Sequence, residues 1–244
     1  MIEYCYGHMR NIGKNFVRKL FSFVGLEAYK KGVAVPRDFY EYRRMSYANI
    51  TRFLYFKYLY DRIKNIDGDV LECGVAGGKT LSYLAFLIKH EGRGRKLWAF
   101  DSFSGLPHPT KEDTHSLGFK GKFSVKIGSV IGLLQEAGLD DDFLKTQVRF
   151  VPGFFEDTLD AYRGPGIALL HADVDLYQSY TRVLEILYPK IIPGGVIAFD
   201  EYLRPTELSQ YPGAHKAIDE YLGDKKYLIE TDRVTGKFFL VKPR

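Results

Sequence analysis

Two acidic clusters, each closing an apolar run and lying about one helix's length apart, constrain this chain more than any other feature. Gly166-Ile-Ala-Leu-Leu170 runs into His171-Ala-Asp-Val-Asp175, and Gly195-Val-Ile-Ala-Phe199 runs into Asp200-Glu201. Short apolar runs bounded by turn residues suit strands buried on both faces of a parallel sheet. In an open α/β sheet, ligands bind outside the carboxyl ends of the strands. If the two strands are neighbours, Asp173, Asp200 and Glu201 converge. Converging carboxylates repel one another unless a hard cation, Mg²⁺ or Ca²⁺, lies between them. The alternative for each acid is an N-cap of the following helix.

The rest of the chain alternates between strand and helix. Segments 69–73, 96–100, 148–151, 167–171 and 196–199 have strand character, and 81–89, 130–137, 177–187 and 214–222 have helical periodicity. Such alternation predicts a mostly parallel sheet with right-handed crossovers. Val234-Thr-Gly236, between 227–230 and 237–241, is a hairpin signal that adds one antiparallel strand at an edge. The expected fold is α/β and Rossmann-like over 65–244. A helical N-terminal extension or cap over 1–64 precedes it, with helices at 9–24 and 46–64. Segment 104–126 lacks apolar periodicity and is expected to be a long loop of the kind that forms lids.

Composition excludes some classes of function. Of 244 residues, 45% are hydrophobic and 27% charged, enough for a packed core. The net charge of +5 is concentrated in residues 1–45, where nine Arg and Lys face four Asp and Glu. That segment reads as a solvated helical face, with an anionic surface or a partner as the alternative. No nucleic-acid-binding motif accompanies it, so no nucleic-acid partner is expected. Cys5 and Cys73 do not make a disulfide framework, and Cys73 is expected to be buried. The absence of a secretory signal pattern and of any span-length apolar stretch points to a cytoplasmic location with no membrane span.

Glu72-Cys-Gly74-Val-Ala-Gly77-Gly78 follows the first of these strands and opens a helix. Glycine permits a tight turn and a close backbone approach, and a helix N-terminus favours an anionic group. The spacing is neither GxGxxG nor a P-loop. Asp101 ends the second strand, where an acid is placed to accept from ribose hydroxyls. Together these features point to an adenosine-containing ligand, with an N-cap as the alternative for Asp101. His171 reads as a base, as a group behind the metal ligands, or as a satisfied core histidine. His108 and His115 are expected to be solvated, and His215 to approach a substrate. There is no nucleophile elbow and no Cys/His zinc spacing.

Six segments carry a resemblance. They are Glu72-Cys-Gly-Val75, Phe100-Asp-Ser-Phe-Ser-Gly-Leu-Pro107, Val151-Pro-Gly-Phe-Phe-Glu-Asp-Thr-Leu159, Asp173-Val-Asp-Leu-Tyr177, Leu187-Tyr-Pro-Lys190 with Pro193-Gly-Gly195, and Phe199-Asp-Glu-Tyr202. Over about 43–222 the chain resembles the macrocin-O-methyltransferase (TylF/MycF-like) family. That resemblance implies the class I methyltransferase fold, S-adenosylmethionine and Mg²⁺ as cofactors, and O-methylation of sugar hydroxyls on natural products. Carried over by position, it implies that Glu72, Gly74, Val75, Asp101, Ser102, Gly153 and Phe154 hold the cofactor. It likewise implies that Asp173, Asp200 and Glu201 hold the metal, with Asp173 or His171 taking the hydroxyl proton. The chain departs from the family in two places. Ala76-Gly77 stands where the family has Trp-Arg, and Asp200-Glu201 stands where it has Asp-Asp.

The expected partner is a small-molecule or glycosylated acceptor, and the N-terminal helices are a surface for a homo-oligomer. The alternatives are a catechol-type O-methyltransferase on a small aromatic diol, a nicotinamide-dependent oxidoreductase, and a non-catalytic nucleotide-binding protein. The oxidoreductase would need a tighter glycine motif and has no use for the carboxylates.

Overall fold

The computed structural model describes residues 26–28, 34–36, 46–202 and 210–244. The helix expected at 9–24 and Cys5 lie outside them. The chain divides into two compact units, Met1–Thr51 and Arg52–Arg244. In the first, β1 (Leu26–Ala28) pairs antiparallel with β2 (Ala34–Pro36), where the sequence shows only a mixed pattern ending at Pro36. The second unit begins at Arg52, ahead of the 64/65 boundary read from the sequence. The reason is that Phe56, Leu59, Tyr60 and Ile63 of helix α1 (Tyr47–Ile63) belong to its core.

The second unit is built on seven strands: β3 (Asp69–Cys73), β4 (Leu97–Asp101), β5 (Val148–Pro152), β6 (Ile167–Ala172), β7 (Ile191–Phe199), β8 (Ile229–Thr231) and β9 (Phe238–Val241). Their order in the sheet is β5-β4-β3-β6-β7-β9-β8. Pairing is parallel from β5 to β7, and β9 runs antiparallel to both β7 and β8. This is the expected mostly parallel sheet with an antiparallel edge. The helices between strands are α2 (Lys79–Glu91), α3 (Ile127–Glu136), α4 (Asp141–Gln147), α5 (Phe155–Thr158), α6 (Tyr177–Leu187) and α7 (Pro212–Leu222). The sequence reading omitted α4, a short helix whose Asp140 side chain accepts from the Phe143 N–H as an N-cap. It also began β7 five residues late, because Pro193-Gly-Gly195 reads as a turn but lies within the strand.

Successive sheet residues feed opposite cores. Val70, Ala99, Leu169, Val196 and Phe239 pack with α1, α2, α3 and α4. Leu71, Phe100, Leu170, Ile197 and Leu240 pack with α6 and α7. That period of two explains why the strands are apolar throughout. Buried Arg95 ties α1 to the sheet, donating to the carbonyls of Ile63, Ile66 and Gly68 while its Nε meets Glu91 at 2.9 Å. Among the described residues, no helix is long and apolar enough to cross a membrane.

The chain leaves β3 toward β4 and β5, then crosses back to β6, so the order reverses between β3 and β6. Hydrogen bonding continues past the strand ends there: Asp173 N–H donates to Cys73 O at 2.9 Å and Asp200 N–H to Ala172 O at 3.0 Å. Gly74, just after β3, has φ +86°, and a Cβ there would stand 1.7 Å from the Asp173 carbonyl oxygen. Glycine is therefore required where the two strand ends meet. Replacing Gly74 with Ala adds a left-handed backbone penalty to a backbone clash, and should cost ~2–5 kcal/mol of stability. Chemical denaturation would measure it, and an unchanged midpoint would contradict this account of the junction.

Candidate active site

The carboxyl ends of β3, β4, β6 and β7 surround a cavity of about 330 Å³. One end of it is lined by Gly74, Ala76, Asp101, Ser102, Gly153 and Phe154, the other by Asp173, Asp175, Asp200 and Glu201. Lys122, Phe123, Leu106 and Tyr211 close a further side. Five of the seven expected cofactor residues thus face one space. Glu72 and Val75 are buried and lie outside the lining.

Asp101 shapes the glycine turn. Its Oδ2 accepts from the N–H groups of Val75 and Ala76 at 2.7 and 2.9 Å, and its Oδ1 from Phe103 N–H at 2.6 Å. Each oxygen retains lone-pair capacity toward the cavity, since an ionised carboxylate offers about four acceptor sites. Ala76 and Phe103 both take positive φ, 43° and 52°, a strained conformation these three hydrogen bonds help to hold. The Ser102 hydroxyl donates to Gly105 O at 2.7 Å. An open turn at the head of a 13-residue helix, with a ribose-type acceptor and the Phe154 ring beside it, fits a nucleoside.

At the other end, donor atoms of His171, Asp173 and Asp200 lie within 4.8 Å of one another. This oxygen-rich set with one imidazole suits a divalent cation. It differs in its third member from the expected set. Glu201 lines the cavity, but its Oε2 is hydrogen-bonded to the hydroxyl of fully buried Tyr180, whose oxygen also lies 2.8 Å from Ala172 O. Burial, then the negative charges of Asp173 and Asp200, push the Glu201 carboxyl well above the usual range.

The cluster is held by cations. Arg52 Nη2 lies 2.9 Å from Asp200 Oδ1 and 3.4 Å from Asp173 Oδ2, and Lys237 Nζ lies 2.9 Å from Asp200 Oδ1. His171 is 1% exposed; its Nδ1 is 3.1 Å from Glu72 Oε1 and its Nε2 is 3.8 Å from Asp200 Oδ1. Burial opposes charging this imidazole, but the nearby Asp200 carboxylate and the hydrogen bond to Glu72 outweigh it and push the pKa up to about 9. Burial raises Glu72 to about 7 against its bond to His171. Asp175 is 8% exposed with φ 61°, and burial followed by the charge of Asp173 raises it to about 7, although Tyr211 hydrogen-bonds to it.

Segment 104–126 is a loop apart from one short 3₁₀ turn, Lys111–Asp113. Buried Asp113 pins it, accepting from Thr110 N–H and from Tyr177 N–H at the start of α6, both at 2.9 Å. Lys122 Nζ donates to the Tyr211 hydroxyl at 3.1 Å and lies over the Phe123 ring. His108 and His115 are exposed, as expected. His215 stacks on Tyr202 at 4.5 Å and is not among the cavity-lining residues. Arg52, Lys122 and Tyr211 were not singled out in the sequence. Arg52 did leave a signal, since it shares the helical face of Phe56, Leu59 and Ile63, where a charge needs a partner.

Comparison with known proteins fits this geometry. The family described as Macrocin-O-methyltransferase (TylF) matches residues 51–234. Demethyldecarbamoylnovobiocin O-methyltransferase of Streptomyces niveus is 33% identical over 183 residues, 70% of this chain and 66% of that protein. An 8-demethyl-8-(2,3-dimethoxy-alpha-L-rhamnosyl)-tetracenomycin-C 4'-O-methyltransferase of Streptomyces olivaceus is 36% identical over 145 residues, 56% of this chain and 54% of that one. The chain thus spans just under two thirds of the first relative and about half of the second. Among solved structures, the calicheamicin methyltransferase CalS11 superposes with a TM-score of 0.68 at 26% identity, covering 80% of each chain. The chain belongs to the macrocin-O-methyltransferase (TylF) family.

Proposed function

We propose that this chain is an S-adenosylmethionine-dependent O-methyltransferase acting on a sugar hydroxyl of a glycosylated natural product, with a hard divalent cation at Asp173 and Asp200. One observation carries the reading: a single cavity joins the Asp101 turn to the Asp173–Asp200 pair. The relatives' names support the acceptor class, since one is an O-methyltransferase of demethyldecarbamoylnovobiocin and another of a rhamnosyl tetracenomycin. When bound, the cofactor supplies an electrophilic methyl on a sulfonium, and the cation supplies Lewis-acid charge neutralisation and a template for a diol.

The chain's own residues do the rest. Gly74, Ala76, Asp101 and Ser102 hold the nucleoside, and Phe154 gives it an apolar wall. Asp173 and Asp200 would hold the cation, and His171 could join them only in its neutral form. His171, locked between Glu72 and Asp200, serves to fix the strand ends rather than to accept a proton. Asp175 faces the cavity free of Arg52 and Lys237 and takes the hydroxyl proton, with Tyr211 orienting it. Leu106, Lys122, Phe123 and Tyr211 screen the acceptor end from water. Positioning of oxygen against methyl supplies the larger share of the acceleration.

S-adenosylhomocysteine should bind saturably in calorimetry, and Asp101→Ala should weaken it at least about tenfold, roughly 1.4 kcal/mol. Absence of binding to the wild-type chain would sink the cofactor reading. Asp175→Asn should lower kcat by about 10²–10⁴-fold with S-adenosylhomocysteine affinity retained, and an unchanged kcat would remove Asp175 from the reaction. Removing metal with EDTA should stop turnover on a glycosylated acceptor, and added Mg²⁺ should restore it. Full turnover in EDTA would overturn the metal assignment.

A further inference from the structure

Arg52 occupies the place where a cation is wanted. Its Nη2 reaches both carboxylates that the proposed metal would need, at 2.9 Å from Asp200 Oδ1 and 3.4 Å from Asp173 Oδ2. Lys237 touches only Asp200, at Oδ1 and, with a second 2.9 Å contact, at its carbonyl oxygen, so it does not bridge the pair. Mg²⁺ binds oxygen at about 2.0–2.1 Å and Ca²⁺ at about 2.3–2.6 Å. An ion between these same oxygens would lie against a like-charged guanidinium. The two cations therefore exclude each other.

The Arg52 side chain is also poorly satisfied where it sits. Among the described residues its buried Nε has no hydrogen-bond partner, and the side chain is 29% exposed, which leaves it a route outward. It leans on Phe56, with its guanidinium carbon 6.0 Å from the ring centroid.

We infer that Arg52 is a resident counter-cation of the Asp173–Asp200 pair that a divalent ion must displace, so that this one side chain sets the metal affinity of the site. The inference rests on the metal reading proposed above. Arg52 keeps the pair neutralised and the strand ends together when no metal is bound. Apparent affinity falls by the fraction of molecules in which the competitor is absent from the pair. If Arg52 holds the pair in all but one-tenth to one-hundredth of molecules, removing it tightens binding roughly 10- to 100-fold.

The test is calorimetric titration of Mn²⁺ and Mg²⁺ into the full chain without acceptor, for wild type, Arg52→Gln and Arg52→Lys. Mn²⁺ paramagnetic resonance counts the bound ions independently of enzyme activity. Arg52→Gln should bind Mn²⁺ roughly 10- to 100-fold more tightly than wild type. It should also melt lower without metal and recover with it. Arg52→Lys, with a shorter side chain and a compact charge, should fall between them, and it decides the matter if the Gln variant does not fold. Wild-type binding that is matched or exceeded in affinity by neither variant would overturn the displacement role and leave the metal reading standing. Absence of binding in every protein would overturn both.

Discussion

Two carboxylates carried to the same spot by adjacent parallel strands repel each other, and the architecture of this site follows from how that repulsion is met. At about 4 Å and an effective dielectric near 20, such a pair opposes folding by roughly 4 kcal/mol. Parallel register leaves no freedom to separate them, because Ala172 and Phe199 are paired and Asp173 and Asp200 are the next residues on each strand. The chain answers with Arg52 from a helix before the sheet, Lys237 from beside the antiparallel strand, and His171 from beneath. Elements distant in sequence are thereby tied to one point. A side chain on α1 becomes part of a site formed by strand ends more than a hundred residues later.

The same residues serve fold and chemistry, so a lost activity does not by itself identify a catalytic group. Asp101 accepts three backbone hydrogen bonds before any ligand arrives, and those bonds hold the turn that would receive one. Gly74 is a glycine because the Asp173 carbonyl leaves no room for a side chain. A family motif centred on this glycine therefore records strand packing as much as cofactor contact. Glu72 is similar: buried and bonded to His171, it meets that imidazole and does not line the cavity.

Most of the sheet was legible because its strands are buried on both faces and its helices are amphipathic, which gives each a distinct sequence pattern. Helix α6 begins and ends where its periodicity does. Helix α4 was not legible: seven residues are too few for a period to emerge, and its start rests on a single Asp140 cap. The convergence of Asp173 with Asp200 was readable from two strand ends, since only strand adjacency had to be supplied. The partners of those carboxylates were not, because Arg52 and Lys237 arrive through tertiary packing that no local pattern encodes. Glu201 shows the same limit. Its place after Asp200 suggests a third ligand, but nothing local shows that a buried tyrosine on α6 engages one of its two oxygens.

Loop 104–126 has little secondary structure, but it is fastened at defined points, and those points bear on specificity. Asp113 accepts from the first N–H of α6, a Cβ on Gly213 would stand 2.0 Å from that carboxylate, and Leu117 N–H donates to Gln210 O. The loop is thus held at the N-terminal ends of α6 and α7, beside the carboxylates but not on them. Leu106, which precedes these anchors, and Lys122 and Phe123, which follow them, line the cavity. On the proposed function, substitutions at Leu106 or Phe123 would change which acceptor fits while leaving the Asp113 and Leu117 anchors and the Asp173–Asp200 pair intact. On that proposed function, a fold built this way would separate the part that holds the reacting groups, fixed by the sheet, from the part that selects the acceptor, fixed by a pinned loop.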